Sequence, residues 1–188
     1  RVLTTSLAAQ QTVLACGDST ASSTASVDIH INTTGKFEFT DRRTNAGTAG
    51  SPLSASTLAA STIYTLAGVT RSQTDHRVFL NGVEDASDAT SQTAGAAAWD
   101  RTSLGVLTRG GTNTVFLTGT LYWAAFWARG LANAEMLAMH LNPYAILARA
   151  QLGSRARARH YASLPSFPPS ARDLERELGV EETNVTGR

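Results

Sequence analysis

His76-Arg77-Val78-Phe79-Leu80-Asn81-Gly82-Val83-Glu84 turns back on itself at Asn81-Gly82. Both turn residues take up positive φ at little cost, so the residues before Asn81 and after Gly82 form the arms of a hairpin. On either side of this hairpin the same grammar repeats. Residues 11–17 are a short apolar run, residues 27–31 and 36–40 alternate, and the last two segments join across a turn at Gly35. Residues 61–70 (STIYTLAGVT) supply a strand that pairs with residues 76–80, and residues 104–109 and 114–129 furnish the remaining strand material. In residues 121–128 both alternating faces are apolar, with Leu121, Trp123, Ala125 and Trp127 on one and Tyr122, Ala124, Phe126 and Ala128 on the other. That pattern predicts a strand covered on both sides.

The period changes once. Leu131, Met136, Leu137, His140 and Leu141 fall near one helical face, with Asn133 placed to cap the first turn and Pro143 to stop the helix. A β-region over residues 1–142 is therefore expected to end in one short helix. Residues 143–188 differ in character: Arg149, Arg155, Arg157, Arg159 and His160 form a basic run, Pro165, Pro168 and Pro169 follow, and residues 170–178 read as a capped helix stopped by Gly179. This stretch is expected to be a solvated tail, or else an arm that docks on a partner through those arginines.

Composition narrows the class. With 188 residues, 42% hydrophobic, and a net charge of +1, the chain suits one well-buried domain plus a tail. No segment reaches the roughly 18–20 consecutive apolar residues of a spanning helix, so membrane insertion is not expected. A single cysteine, Cys16, rules out an intrachain disulfide, and its apolar setting predicts a buried thiol. No secretory signal is visible, and a start at Arg1 fits a fragment or a processed product.

The order YTLAGVT (64–70), RVFLNGV (77–83), DRTSLG (100–105), an aromatic stretch over 121–131 and then Ala134-Glu135-Met136 resembles the laminin-G-like, or concanavalin A-like, jelly roll. More narrowly it is similar to the variants found in bacteriophage structural proteins. The likeness covers residues 10–142 and implies an all-β, two-sheet antiparallel sandwich. It also implies a virion or extracellular location, with protein contacts to other virion or surface proteins or between copies of the chain. The family opens with an aromatic-rich strand just ahead of the position of Arg1, so the first strand is truncated here and an edge is expected to be open or completed by another segment. Several members bind calcium at one rim, which makes Asp100 and Asp18 candidate oxygen ligands; no other cofactor is implied.

Chemistry finds little purchase. A glycoside hydrolase needs two carboxylates flanking the scissile bond, and no strand carries acidic residues at i, i+2 and i+4. Glu84, Asp85 and Asp88 follow the Asn-Gly turn and are expected in a solvated loop. His30, His76, His140 and His160 lack metal-ligand spacing, and neither a Gly-x-Ser-x-Gly elbow nor a phosphate loop occurs. Trp123 and Trp127 read as core, whereas Trp99, beside Asp100 and Arg101 at the end of a small-residue loop, reads as a rim residue. Trp99, Asp100, Arg101, Arg109 and Asn113 are thus the candidate glycan contacts. The basic tail has few interleaved aromatics, and nucleic acid is not the expected partner. With no catalytic constellation in the sequence, the resemblance implies a non-catalytic module for phage-particle assembly, as fibre or capsid decoration. The alternative is a carbohydrate-binding module of a surface or secreted protein; a hydrolase with carboxylates converging from distant loops comes third.

Overall fold

Residues 1–18, 20, 24–95, 99–109 and 112–144 are described by the computed structural model. The chain divides into two units, Arg1–Ile146 and Leu147–Arg188, and all elements below belong to the first. In chain order they are β1 (Val2–Thr4), β2 (Gln11–Gly17), β3 (Ser26–Ile31), β4 (Phe37–Arg42), β5 (Ile63–Tyr64), β6 (Leu66–Ser72), β7 (Asp75–Leu80), β8 (Val83–Asp88), β9 (Arg101–Leu104), β10 (Leu107–Arg109), β11 (Thr112–Thr114), β12 (Gly119–Leu121) and α1 (Asn133–Leu141). The strands form antiparallel sheets of order β4-β3-β2-β9, β6-β7-β8, β12-β1-β5 and β10-β11. The fold is the all-β sandwich expected, closed by one short helix.

Turn chemistry sets the registers. Gly35 has φ 73°, and the Asn32 Oδ1 accepts from the backbone N–H groups of Thr34 (2.9 Å) and Lys36 (3.1 Å). This Asx-type turn places His30 opposite Glu38. At the second hairpin Asn81 and Gly82 have φ 51° and 83°. The Asn81 Oδ1 accepts from the Thr65 N–H (3.0 Å) and its own N–H donates to the Thr65 carbonyl (2.8 Å), tying the tip to the break between β5 and β6.

Alternation then builds the core. Val13, Leu14, Ile29, Ile31, Phe37 and Phe39 from the four-stranded sheet meet Leu66 and Val78 from β6 and β7, with Val2 of β1 beside them. The other face of β6 and β7 carries Val69 and Phe79, which pack with Leu131, Met136 and Met139 on the α1 side. Between the facing sheets the Thr70 hydroxyl donates to the Asp41 Oδ2 (2.7 Å) and lies 3.2 Å from the His76 Nδ1; the His76 Nε2 is 3.0 Å from the Gln73 carbonyl oxygen. His76 is fully buried, and a buried imidazole needs such partners.

Five expectations are corrected. Residues 122–128 form no strand, and Tyr122, Ala124, Ala125, Phe126 and Ala128 are exposed, because pairing with β1 stops where the Tyr122 N–H donates to the Arg1 carbonyl (2.9 Å). Asn133 does not cap α1: Ala132 is the N-cap, and Glu135 reaches back to accept its N–H (2.9 Å) while bridging to Arg129. The Asn133 side chain instead joins Arg71 and Glu84. Glu84, Asp85 and Asp88 lie on β8, where Glu84 pairs with Arg77 (2.7 Å) and Asp85 and Asp88 accept from Ser56 and Ser51. Cys16 is half-buried, 3.4 Å from the Thr102 hydroxyl. Residues 104–109 are split by Gly105 (φ 70°) into the end of β9 and β10.

Candidate functional site

Register across the four-stranded sheet lines up its outer face row by row. One row is Arg101, Gly17, Ser26 and Arg42; the next is Ser103, Ala15, Asp28 and Thr40. Beyond a bulge in β2 between Thr12 and Leu14 comes the row Thr12, His30 and Glu38. The intervening residues Leu14, Ile29 and Phe39 point into the core, so the outer face is polar by the period of two alone. Small residues lie between two arginines that are three strand spacings, about 14 Å, apart.

His30 organises one end of this face. Its Nδ1 lies 2.8 Å from the Asp28 Oδ2 and its Nε2 3.3 Å from the Glu38 Oε2, and the Ser26 hydroxyl donates to the other Asp28 oxygen (2.9 Å). Burial on its own pushes the imidazole pKa down, but hydrogen bonds to Asp28 and Glu38 and their charges outweigh it and raise the value to about 9. An imidazolium donates through both nitrogens, which matches the two carboxylates placed against His30. The Thr12 Oγ1 and the Arg42 Nε are buried without a hydrogen-bond partner among the described residues. Thr12, Ala15 and Ser26 in the middle are buried, and the accessible groups stand at the ends: Arg101 exposed, Arg42 and Glu38 half-buried.

A pH dependence follows. Because the folded value of His30, about 9, exceeds its ordinary 6.5, its contribution to stability is complete below pH 6.5 and is lost as pH rises toward 9. The melting temperature of the wild type is expected to fall across that interval more than that of His30→Gln. Parallel curves from the two proteins would refute the ion pairing.

The residues expected at a glycan rim are only partly gathered here. Arg101 starts β9 opposite Gly17, on the face just described. Asp100 precedes it, exposed, with its N–H donating to the Gly17 carbonyl (3.1 Å). Asn113 is exposed on the β10-β11 hairpin, its Oδ1 accepting from the Thr108 hydroxyl (2.8 Å), and Arg109 pairs through its backbone with Thr112 in the same hairpin. Trp99 is half-buried and turned inside, its Nε1 buried and without a partner among the described residues. The tail arginines Arg149, Arg155, Arg157 and Arg159 lie outside the described residues. Among the described residues no three His, Cys, Asp or Glu side chains gather as a metal cage; the Asp18 Oδ1 accepts from the Thr20 N–H (2.8 Å). Sequence reading missed Asp28, His30, Glu38 and Arg42. The signal was present, since Asp28 and His30 stand at i and i+2 and the Gly35 turn brings Glu38 opposite His30.

A cavity of about 410 Å³, partly open to solvent, competes for attention, lined by Trp99, Trp123 and Trp127 together with Arg43 and Asp41. Its walls include Ile29 and Phe39 of the main core and Met136 and Met139 from the α1 side. The cavity thus passes through the layer that contains β6, between β6 and residues 121–131.

No family model and no curated protein matches the sequence. Solved structures do match. The carbohydrate-binding module CBM40 of the Ruminococcus gnavus IT-sialidase, bound to α2,3-sialyllactose, superposes with a TM-score of 0.62 at 20% identity, over 74% of this chain and 78% of that one. The same module bound to α2,6-sialyllactose gives 0.61 at 19% identity, covering 74% and 79%. The leech intramolecular trans-sialidase complexed with 2,7-anhydro-Neu5Ac gives 0.56 at 20% identity over 73% of this chain, where the match spans 22% of the enzyme. At these identities the likeness establishes the β-sandwich fold. Among the described residues no helix is long and apolar enough to cross a membrane.

Proposed function

We propose that the chain is a non-catalytic glycan-binding module, acting at a cell or particle surface or in secreted form, whose outer sheet face takes an acidic sugar. The carrying observation is that face: Arg101 and Arg42 at opposite ends of a row whose middle is Gly17 and Ser26, with Asp28, His30 and Glu38 beside it. Guanidinium groups bind a sugar carboxylate with charge-assisted hydrogen bonds, and carboxylates accept from ring hydroxyls. Support also comes from the superposed CBM40 structures, two of which hold sialyllactose. The structures named above include no phage-particle protein to support the assembly that the sequence resemblance favours, and glycan binding becomes the main reading.

Calorimetric titration with 3′-sialyllactose and with lactose tests this. Sialyllactose is expected to bind and lactose to bind at least about ten times more weakly, the loss of one charge-assisted contact being worth about 1.4 kcal/mol or more. Arg42→Ala and Arg101→Ala are each expected to weaken sialyllactose about tenfold without changing the fold. No heat from either sugar, or equal affinity for both, would remove the proposal.

A further inference from the structure

We propose that Phe116 is a second sugar contact of the outer sheet face, taking the apolar side of a neutral ring joined to the acidic sugar. The module then reads an acidic sugar together with the neutral rings that follow it. The inference rests on the glycan reading and gives a role to a residue which that reading does not use.

The backbone beside Phe116 carries this. Val115 has φ 56°, in the left-handed region, where a β-branched side chain is an outlier. Such a residue stays there only because its surroundings hold it, and outliers of this kind gather where a neighbouring group is aimed at a ligand. The holding bonds are all on the flank of β2. The Thr12 N–H donates to the Val115 carbonyl (3.1 Å), the Leu117 N–H to the Gly105 carbonyl (2.7 Å), and the Thr118 N–H to the Gln11 Oε1 (2.8 Å). Between these anchors Leu117 packs against the main core, while the Phe116 ring is left 63% exposed. A single exposed apolar side chain needs no explanation by itself. One presented by a strained neighbour does.

Register puts that ring on the sugar face. Thr12 opens the outer row Thr12, His30 and Glu38, and Val115 is its hydrogen-bonded neighbour on the side away from β3. Since Leu117 turns into the core, the side chain before it turns to the outer side, in continuation of that row. Ser26 on the arginine row and His30 on this one are about 13 Å apart along β3. An acidic ring seated between Arg101 and Arg42 therefore stops short of Phe116, and rings joined to it run past Asp28 and His30 to reach it. A phenyl face has neither charge nor a hydrogen-bonding atom, so it suits the C–H side of a neutral pyranose, whereas an ionised ring would lose hydration against it.

Calorimetric titration compares the methyl α-glycoside of N-acetylneuraminic acid with 3′-sialyllactose, on the original chain, Phe116→Ala and Phe116→Trp. The original chain is expected to bind the trisaccharide about three to ten times more tightly than the single sugar, the worth of one ring-face contact. Phe116→Ala is expected to bring the trisaccharide down to the affinity of the single sugar with no change in melting temperature, and Phe116→Trp to keep the difference. Equal affinity of the original chain for the two ligands, or a difference that survives Phe116→Ala, would overturn the inference and leave the acidic-sugar reading standing. Heat from neither ligand would remove both.

Discussion

Phe79→Ala destabilises the protein by about 3–5 kcal/mol, the usual cost of removing a fully buried aromatic ring. Phe79 has no solvent exposure and stands on the face of β7 opposite the main core, with Val69, Leu131, Met136 and Met139 around it. Its ring is what α1 rests on. With the ring gone the helix keeps its capping hydrogen bond from the Ala132 N–H to Glu135 but loses the surface that makes its apolar residues worth ordering, and a nine-residue helix is marginal by itself. Urea unfolding followed by tryptophan emission should show the lower midpoint. Loss of α1 protection in hydrogen exchange should accompany it, and a change within experimental error would mean that the helix is held by something else.

Gly68→Ala costs about 1–3 kcal/mol by overpacking, and the cost depends on Phe39. A β-carbon at position 68 would sit 2.1 Å from the Phe39 ring, so β6 and β4 approach as closely as they do because position 68 has no side chain. Phe39→Leu opens room, and the double variant is expected to lose less than the sum of the two single losses. Thermal denaturation of the four proteins completes that cycle. Strict additivity would show that the sheets adjust around the new methyl group.

Local chemistry was well legible in the sequence where it acts over a few residues. Asn81-Gly82, the Gly35 turn and the alternation of residues 27–31 and 36–40 gave strands and registers close to those observed, because positive φ and a period of two leave few alternatives. Residues 122–128 misled for a physical reason: two apolar faces say that a strand belongs between covers, but they do not say whether a neighbour is in place. Asn133 misled because a helix-capping residue and an ion-pair bridge are the same side chain, and Arg71 lies 62 positions away in sequence. The site divides in the same manner. Arg101 was visible, being adjacent to a recognisable segment, while Arg42 shares its row only through three successive strand pairings. Trp99 reads as an exposed platform from its loop composition, yet the interior claims its ring.

The tip formed by Asn81 and Gly82 also bears on protein engineering. Hairpin tips are the customary place to graft an epitope or splice in a foreign loop. Here a β-carbon on Gly82 would lie 2.8 Å from the Leu137 backbone, and Asn81 is spliced to Thr65 on both its backbone and its side chain. This tip behaves as a rivet beneath the helix, and cargo for display is better carried on the β10-β11 side, where Thr112, Asn113 and Thr114 face solvent.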